Sequence, residues 1–533
     1  VQHRVTVCSS GIHEVLTMAR RLPVVAIALL ALLVSAPLVA VAQETPSLAD
    51  KIKHVVVLML ENRSFDHMIG MLKGKIPDID GCMMNDPNPR CSNPDDPLDP
   101  NSPRTPADNE AVYIQPADPQ HSVEYTTKEV YGYGPTTQSP APMSGFVKAY
   151  DYGNNTLDGR FIMKCFDPKH VPVITTLAQD FLLIDQWHSG VPGPTEVNRA
   201  FAASATSYGY ATNNDILYHL GMPQKPIFET LENANKSWNV YFSDAPTMIG
   251  FQWTWAHLDR YKGLSTFYDD ASAGTLPAFS WVEPAYFDFF GTPATDQHPD
   301  HDVAEGERLI KSVYEALRAS PAWNNTLLLV TYDEHGGFFD HVSPPVDVPN
   351  PDGRVSTDPP FNFTRLGVRV PAIIASPWVE PGTLVHSPPT AAYCHSSIPA
   401  TVRKIFAPDA PFLTKRDAWA ATFDTLLTRT TPNPSCPMHM PNPPPLRDMY
   451  PTLPRLDGEM PMSHLQEGIV ELLAQVSGDK SGGHVTKDAI KVLKEGEGAA
   501  YVRDAMCRIT GREVVDRVPG DKATLQRVLP RRS

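Results

Sequence analysis

The chain has 533 residues, of which 42% are hydrophobic and 9% aromatic, so it can bury a large core and is not mainly disordered. Its formal net charge of −15 argues against nonspecific binding to nucleic acid and against attachment to anionic lipid by charge alone. The 54 prolines and 32 glycines predict many ordered loops rather than an all-helical bundle.

The N-terminal segment has the features of a targeting sequence. Residues 1–17 precede the first methionine, and we interpret them as upstream sequence. A basic Arg20-Arg21 pair and a long apolar run follow, and the run ends in Ala40-Val41-Ala42. This order predicts a signal peptide over residues 18–42 that is cleaved on the secretory pathway, which makes the mature protein secreted or lumenal. The alternative is an uncleaved anchor, because the run is long enough to cross a bilayer.

Six cysteines follow the predicted signal peptide, an even number that suits an oxidising compartment. They are Cys82, Cys91, Cys165, Cys394, Cys436 and Cys507. Cys82 and Cys91 flank a loop rich in Pro, Asn and Asp, which a disulfide between them could close. The pairing of the others stays open, because six cysteines can combine in many ways.

Four apolar segments predict strands, and one amphipathic segment predicts a long helix. The strands are Lys51–Leu60, Phe181–Trp187, Thr326–Tyr332 and Val368–Ser376. Pro371 suggests that the last strand lies at an edge or bends. The helix is expected over Asp302–Ser320, with Asp302 and Glu305 as a capping box. Strands that alternate with helices predict an α/β fold with a mostly parallel sheet covered by helices on both faces.

The composition also predicts the domain boundaries. Residues 77–142 have little periodicity and are expected to form long loops, while prolines cluster at residues 430–454 as in a linker. Beyond that linker, helices are expected over residues 463–476 and 489–512. We therefore divide the mature chain into a catalytic domain and a Pro-rich linker with a helical C-terminal region, over residues 43–436 and 437–533.

Polar clusters follow two of the predicted strands. Glu61 and Asn62 come directly after the first, and Asp333, Glu334 and His335 come after the third. Ligands of open α/β sheets gather at the carboxyl ends of strands, and carboxylate and amide oxygens suit a divalent cation. The alternatives are a turn capped by a polar side chain in the first case and a solvated acidic pair in the second.

A third cluster, Gly193–Arg199, joins a Pro-rich turn to a predicted helix. Thr195 could be a nucleophile activated by a metal, and Asn198 and Arg199 could bind phosphate oxygens. The alternative is that the threonine caps the helix and the arginine forms a surface ion pair.

Several histidines could exchange protons or bind substrate. His298 follows Asp296 in a polar loop and is a candidate general acid or base. His341 lies in the cluster that follows the third strand and could bind substrate. His121 and His395 are weaker candidates, because each would be an ordinary polar loop residue without the other clusters.

Four motifs, ENRSFDHMIG, GPTEVNR, HPDHDVAEG and TYDEHGGFFDHV, resemble in this order the phosphoesterase family of bacterial phospholipases C and acid phosphatases. The chain is still more similar to plant non-specific phospholipases C, over about residues 51–436. The resemblance implies an alkaline-phosphatase-like fold and hydrolysis of glycerophospholipids such as phosphatidylcholine to diacylglycerol and a phosphorylated head group, through a phospho-threonyl intermediate. It implies a divalent metal cation of unspecified identity.

The resemblance also implies roles for individual residues. The metal-ligand positions fall on Glu61, Asn62, Asp333 and Glu334, and the nucleophile position falls on Thr195. The catalytic histidine and polar positions fall on Asp296, His298 and His335. One departure is visible, because the plant pattern commonly reads GPTHPNR and this chain has Glu196 and Val197 in place of His and Pro. We expect this change to affect head-group preference or rate more than the chemistry itself.

A membrane phospholipid substrate requires peripheral contact with a membrane. Two aromatic-rich segments are candidate anchors, Tyr286–Phe290 and Gly250–Trp255, and packing in the core is their alternative. Two other functions stay open: a secreted acid phosphatase that uses the same site, and a catalytically idle lipid-binding protein.

Overall fold

The structure, a computed structural model, describes residues 46–115, 117–152, 158–213, 221–288, 292–445, 460–478 and 490–510. The main sheet within these ranges has eight strands. In chain order they are β1 (His54–Leu60), β2 (Leu182–Ile184), β3 (Trp238–Phe242), β4 (Tyr261–Gly263), β5 (Phe279–Glu283), β6 (Thr326–Tyr332), β7 (Ala372–Ala375) and β8 (Thr383–Val385). Their order across the sheet is β8-β2-β7-β6-β1-β5-β3-β4.

The sheet is mostly parallel, and β7 is the exception. It runs antiparallel to both of its neighbours, β2 and β6, while the remaining pairings are parallel. The prediction of an edge strand near Pro371 is wrong, because β7 lies inside the sheet. Its first residue is Ala372, so the proline precedes the strand and removes no hydrogen bond from it.

Helices flank this sheet. In chain order they are α1 (Leu48–Lys51), α2 (Phe65–Ile69), α3 (Val123–Tyr131), α4 (Phe146–Tyr152), α5 (Pro172–Asp180), α6 (Thr195–Ser204), α7 (Ile227–Asn233), α8 (Leu264–Ala273), α9 (Val303–Ala319), α10 (Ser397–Phe406), α11 (Lys415–Trp419), α12 (His464–Val476) and α13 (Glu495–Thr510). The predicted α/β class with a mostly parallel sheet between helices is confirmed.

Two helices show where the sequence was informative and where it was not. Helix α9 begins after Asp302, whose side chain accepts a hydrogen bond from Ala304 N at 2.8 Å, so the predicted cap is confirmed. Its partner in the expected capping box, Glu305, pairs with Arg308 instead.

Helix α3 lies inside the segment that we expected to be loop. Ser122 caps its start, and Gly132 ends it with a φ of 59°.

The C-terminal helices pack on the same core as the sheet. Leu465, Ile469 and Leu473 of α12 and Val502 and Met506 of α13 are buried in the hydrophobic cluster that contains β1 and β6. Where the domain boundary lies stays a prediction, but these helices are not an independent body. Among the described residues, no helix is both long enough and apolar enough to span a membrane.

The described cysteines form one disulfide, between Cys82 and Cys91, as the loop composition suggested. Cys165, Cys394 and Cys436 are buried free thiols, and Cys507 is a partly exposed one. The predicted signal peptide lies outside the described residues.

Candidate active site

The carboxyl ends of β1 and β6 bring the two predicted acidic clusters together. These neighbouring parallel strands pair in a register that sets Leu60 beside Tyr332, so the residues that follow them, Glu61 and Asp333, emerge side by side. The backbone hydrogen bond from Asp333 N to Leu60 O, at 3.0 Å, extends this register past the strands. Glu61, Asn62, Asp333 and Glu334 are all completely buried, so the alternative of a solvated acidic pair is wrong.

Tight turns hold the two clusters against each other. Asn62 has a φ of 55° and Gly336 a φ of 64°, both in the left-handed region. A Cβ atom at Gly336 would lie 2.3 Å from the Asn62 carbonyl oxygen, so only glycine fits there. The Asp333 carboxylate accepts the backbone N–H groups of Asn62 and Glu334, at 3.1 and 2.7 Å. The turns therefore aim the side chains inward before any ligand binds.

Helix α6 carries Thr195 and Arg199 to this edge of the sheet. Its N-cap is Pro194, so Thr195 is the first helical residue and does not cap the helix. Arg199 lies one turn further on and is buried. It donates to Glu61 Oε1 and to Asp333 Oδ2, each at 3.1 Å. The alternative of a surface ion pair is therefore wrong for Arg199, which lies between two predicted metal ligands.

Polar atoms without partners mark this site. Glu61 Oε2, Asn62 Oδ1 and Glu334 Oε1 are buried and accept no hydrogen bond within the chain, and Arg199 Nη1 donates none. Buried polar atoms are rarely left unpaired, so four of them at one edge of the sheet favour a ligand from outside the chain. Carboxylate and amide oxygens are hard donors that suit a divalent cation. Three of the four predicted ligands thus each offer one free oxygen, and the donor set fits the implied metal.

The closest groups of possible metal ligands lie elsewhere in the described part of the chain. They are Asp66, Asp340 and His341; Asp288, His301 and Glu495; and Cys82, Cys91 and His341, each with ligand atoms within 4.8 Å of one another. The cysteines of the last group are joined in the disulfide, so they are not ligands. The set around Glu61 is more open, because the Arg199 guanidinium lies between the Glu61 and Asp333 carboxylates.

The electrostatics of the site follow from burying several carboxylates together. Burial, and after it the Asp333 carboxylate, raise the pKa of Glu61 well above its usual range. Burial raises the pKa of Asp333 to about 6, against the opposing effect of Arg199. For Glu334, the effect of burial is outweighed by His121 and His335, which hold the pKa of that carboxyl below its usual value. A cation at the free oxygens would stabilise the charged form of all three.

Asp118 forms the partly exposed rim of the site. His121 Nε2 lies 3.6 Å from Glu334 Oε1, and His121 Nδ1 lies 3.8 Å from Asp118. His298 Nε2 lies 3.8 Å from the same Asp118, and Asn62 Nδ2 approaches it at 3.5 Å. The structure thus gathers His121 and His298 beside the predicted ligands, where either could meet a substrate.

Two further predicted histidines are held by other groups. His335 Nε2 lies 2.9 Å from Glu129 Oε2, and its Nδ1 lies 3.4 Å from Glu334. These bonds outweigh burial and raise the pKa of His335 to about 9. His395 contacts the Asp333 carbonyl oxygen and accepts a hydrogen bond from Trp187, and burial lowers its pKa to about 4. Both histidines therefore contact the acidic pair that follows β6: His335 contacts the Glu334 carboxylate, and His395 contacts the Asp333 backbone.

The loop between β5 and α9 holds Asp296 and connects the site to the C-terminal region. Asp296 Oδ1 lies 2.7 Å from His301 Nδ1 and accepts the backbone N–H of His298. The other ring nitrogen of His301 lies 3.3 Å from Glu495, which also accepts the backbone N–H of Asp288. Helix α13 therefore contacts the loop that carries two of the predicted catalytic residues.

Two predicted substrate-binding residues are engaged elsewhere. The Asn198 side chain donates to the Gly193 carbonyl and accepts from Val191 N, so it braces the turn before α6. His341 lies in a separate buried cluster with Asp66, Asp340 and Arg369. Its Nδ1 is 2.6 Å from Asp66. The roles assigned to all of these site residues stay predictions.

Sequence reasoning missed Asp118 and Glu129, and it treated Glu196 only as a departure from the plant pattern. Glu129 lies on the unexpected helix α3, where its spacing from Val130 and Tyr131 gave no chemical signal. Asp118 stands three residues before His121, and that proximity was its only signal.

The candidate membrane anchors are mostly core. Tyr286, Phe287 and Phe251 are buried in the main hydrophobic cluster, so core packing is correct for them. Phe289 and Phe290 lie outside the described residues.

Comparison with known proteins identifies the family of the chain. Residues 52–407 match the Phosphoesterase family. The chain is 41% identical over 484 residues to non-specific phospholipase C6 of Arabidopsis thaliana, covering 88% of this chain and 89% of that protein. It is 28% identical over 449 residues to phospholipase C B of Mycobacterium tuberculosis, covering 72% and 80%. A solved structure of an alkaline phosphatase superfamily protein from Vibrio parahaemolyticus has 13% identity and a TM-score of 0.28, and the match covers 44% of this chain and 59% of that one.

The chain belongs to the phosphoesterase family. Its predicted resemblance to plant non-specific phospholipases C is confirmed, and so is the prediction of an enzyme of the phosphoric diester hydrolase class.

Proposed function

We propose that this protein is a phospholipase C that hydrolyses glycerophospholipids, such as phosphatidylcholine, to diacylglycerol and a phosphorylated head group. The observation that carries the proposal is the set of unpaired buried oxygens on Glu61, Asn62 and Glu334, at the strand ends beside the N-terminus of α6. The names of the relatives supply the substrate class.

Thr195 is the proposed nucleophile. It is the first residue of α6, where the backbone N–H groups of the first turn have no partner within the helix and favour an anionic phosphate. Its hydroxyl attacks phosphorus in line, the bond to the diacylglycerol oxygen breaks, and the head group stays on a phospho-threonyl intermediate. Water then releases the phosphorylated head group and restores the threonine.

Histidines move the protons in this scheme. His298, at the partly exposed rim beside Asp118, protonates the departing diacylglycerol oxygen. Asp296 holds the loop in place through His301 and the His298 backbone. His335, fixed between Glu129 and Glu334, positions the acidic edge, and His121 lies close enough to Glu334 to assist the water step.

A divalent cation would be held by Glu61, Asn62, Asp333 and Glu334, where it would lower the pKa of the Thr195 hydroxyl and neutralise phosphate charge. Arg199 is the chain's own fixed cation at this edge. Its Nη1 is buried without a partner, so it can donate to a phosphate oxygen while its other nitrogens hold Glu61 and Asp333.

The test is mass spectrometry of the lipid products that purified protein forms from dispersed phosphatidylcholine, with and without chelator. We expect diacylglycerol and phosphocholine, lost on chelation and restored by one divalent cation. Glu61→Gln and Asp333→Asn should each lower metal content by elemental analysis, whereas Glu124→Gln, at an exposed position on α3, should not.

Two other results would replace the proposal. Turnover of p-nitrophenyl phosphate without diacylglycerol release from phosphatidylcholine would indicate an acid phosphatase. Phospholipid binding with no turnover of either compound would indicate a catalytically idle lipid-binding protein.

We propose further that residues 18–42 direct the chain to the secretory pathway and that the mature protein binds membranes reversibly. The order of basic, apolar and small residues supports the first of these proposals, and the membrane lipid proposed as substrate supports the second. An N-terminal peptide that begins at Gln43 after expression in a secreting cell would agree, and retention of residues 18–42 would contradict it.

A further inference from the structure

Glu196 is a buried carboxylate with no partner. It follows Thr195 in the first turn of α6 and is 5% exposed. Neither of its side-chain oxygens forms a hydrogen bond within the chain. Burying an unpaired carboxylate is costly, and burial raises the pKa of this one to about 8. A partner brought by a ligand would remove that cost.

The side chain belongs to the interior of the active site. Burial is the main cause of its raised pKa, which Arg199 lowers and Asp333 raises, and Glu196 in turn contributes to the raised pKa of Glu61. The backbone N–H of Glu196 donates to the Asn213 side chain at 3.2 Å, which anchors the main chain and leaves both carboxylate oxygens free. Glu196 thus offers two free acceptor oxygens on the residue that follows the proposed nucleophile.

We propose that Glu196 binds the primary ammonium of an ethanolamine-type head group and makes the enzyme prefer such phospholipids over those with a quaternary ammonium. The inference rests on the proposed phospholipase C function. In ethanolamine phospholipids, two carbons separate the ammonium from the ester oxygen on phosphorus. The head group also stays on phosphorus while Thr195 is bonded to it, so its ammonium remains within reach of the adjacent residue.

The chemistry of the head groups gives the expected order. A primary ammonium has N–H donors for both free oxygens of Glu196, and hydrogen bonds between charged groups are the stronger ones. A choline head group has no N–H and offers charge alone. A serine head group adds a carboxylate, which the acidic residues Glu61, Asp333 and Glu334 repel.

The test measures kcat/KM for diacylglycerol release from phosphatidylethanolamine and phosphatidylcholine in mixed micelles of one detergent. In Glu196→Gln the ratio of the ethanolamine to the choline value should fall about 10- to 100-fold, as for a lost charge-assisted hydrogen bond. Glu196→Asp, which keeps the charge on a shorter side chain, should give an intermediate ratio. Glu124→Gln, exposed on α3, should leave the ratio as it is.

A measurement on the unaltered protein makes the test independent of folding. Phosphoethanolamine should inhibit it more strongly than phosphocholine, and Glu196→Gln should erase the difference. Equal loss on both substrates, or no change in the ratio, would overturn the role of Glu196, because the residue would then serve the cation or the fold. Failure of the unaltered protein to release diacylglycerol from either lipid would instead overturn the proposed function.

Discussion

Among the described residues, one buried arginine–carboxylate cluster surrounds Arg199 and another surrounds Arg369. Both arginines are buried, and each contacts two buried carboxylates: Glu61 and Asp333 for Arg199, Asp66 and Asp340 for Arg369. The Arg369 cluster is complete, because Arg369 also donates to the carbonyl oxygens of Asp80 and Asp185.

The Arg199 cluster is incomplete. It leaves polar atoms unpaired on Arg199, Glu61 and Glu196, and on the adjoining Asn62 and Glu334. The same kind of ion pair therefore serves two purposes. A cluster whose polar atoms are all hydrogen-bonded stabilises one arrangement of the fold. A cluster that leaves polar atoms unpaired can bind a ligand through them.

The largest expected effect concerns Thr195, the proposed nucleophile on the same helix as Arg199. Thr195→Ala should lower turnover by about a thousandfold or more, because a methyl group cannot attack phosphorus, and Thr195→Ser should keep part of the activity. The melting temperature should change little. Turnover by the alanine variant close to that of the unaltered protein would show that another residue is the nucleophile.

A matched pair of variants separates the two clusters by stability. Arg369→Met leaves Asp66 and Asp340 buried without their guanidinium and should cost about 3–5 kcal/mol of unfolding free energy. Arg199→Met should also destabilise the protein, but an added divalent cation should recover much of that loss, because it can replace the guanidinium between Glu61 and Asp333. Urea unfolding with and without the cation measures this.

Recovery of both variants by the cation, or of neither, would contradict the distinction between the clusters. Arg308→Met provides the control for loss of an arginine, because that side chain is partly exposed, pairs with Glu305 on α9 and reaches the Pro444 carbonyl only at 3.5 Å.

The sequence shows the motifs that contribute to both clusters. It does not show which residues of each motif join the Arg199 cluster and which join the Arg369 cluster. The first residues of the ENRSFDH and DEHGGFFDH segments follow paired strands, so their meeting at Glu61 and Asp333 follows from a parallel sheet. The two segments meet a second time after the left-handed Gly336-Gly337 turn, where His341 Nδ1 lies 2.6 Å from Asp66. The sequence motif predicts that His341 binds substrate, whereas the fold pairs this histidine with Asp66.

Other elements could not be predicted for plain physical reasons. Strands β3, β4, β5 and β8 have three to five residues, too short for a periodic signal. Glu129, Glu196 and Glu495 look like ordinary helical glutamates until the tertiary structure buries them. The sequence could therefore predict that Glu61 and Asp333 meet at one edge of the sheet, but not the carboxylates that other elements bring there.

The complete cluster should also show a characteristic pH dependence. Contacts with Asp66 and Asp80 outweigh burial and raise the pKa of His341 to about 9, above the value of about 6.5 expected in the unfolded chain. The contribution of charged His341 to the free energy of unfolding is therefore fully present below pH 6.5 and is lost as the pH rises through about 9. This contribution is about 3 kcal/mol. The difference in unfolding free energy between the unaltered protein and His341→Gln should shrink over that window. A difference that stays constant from pH 6 to 9.5 would mean that His341 is not charged in the folded protein.

The smallest expected effect concerns the support that the incomplete cluster receives from the C-terminal helix α13. Glu495 accepts hydrogen bonds from Asp288 N at 2.8 Å and from the Gln466 side chain at 2.9 Å, and it lies 3.3 Å from His301. His301 in turn holds Asp296, so the charge on Glu495 stabilises the loop that carries His298. Glu495→Gln keeps an acceptor oxygen for the backbone of Asp288 but removes that charge.

We therefore expect kcat to fall about tenfold for Glu495→Gln, with a smaller change in KM, because one charge-assisted hydrogen bond is worth about 1.5 kcal/mol or more. Glu497→Gln, two residues further along α13 at an exposed position, is the matched control and should change neither constant. Circular dichroism and the melting temperature would separate loss of the loop's position from loss of the helix. If Glu495→Gln keeps the kcat of the Glu497→Gln control, the C-terminal helix contributes packing alone, and the catalytic loop is positioned by the sheet and α9 without it.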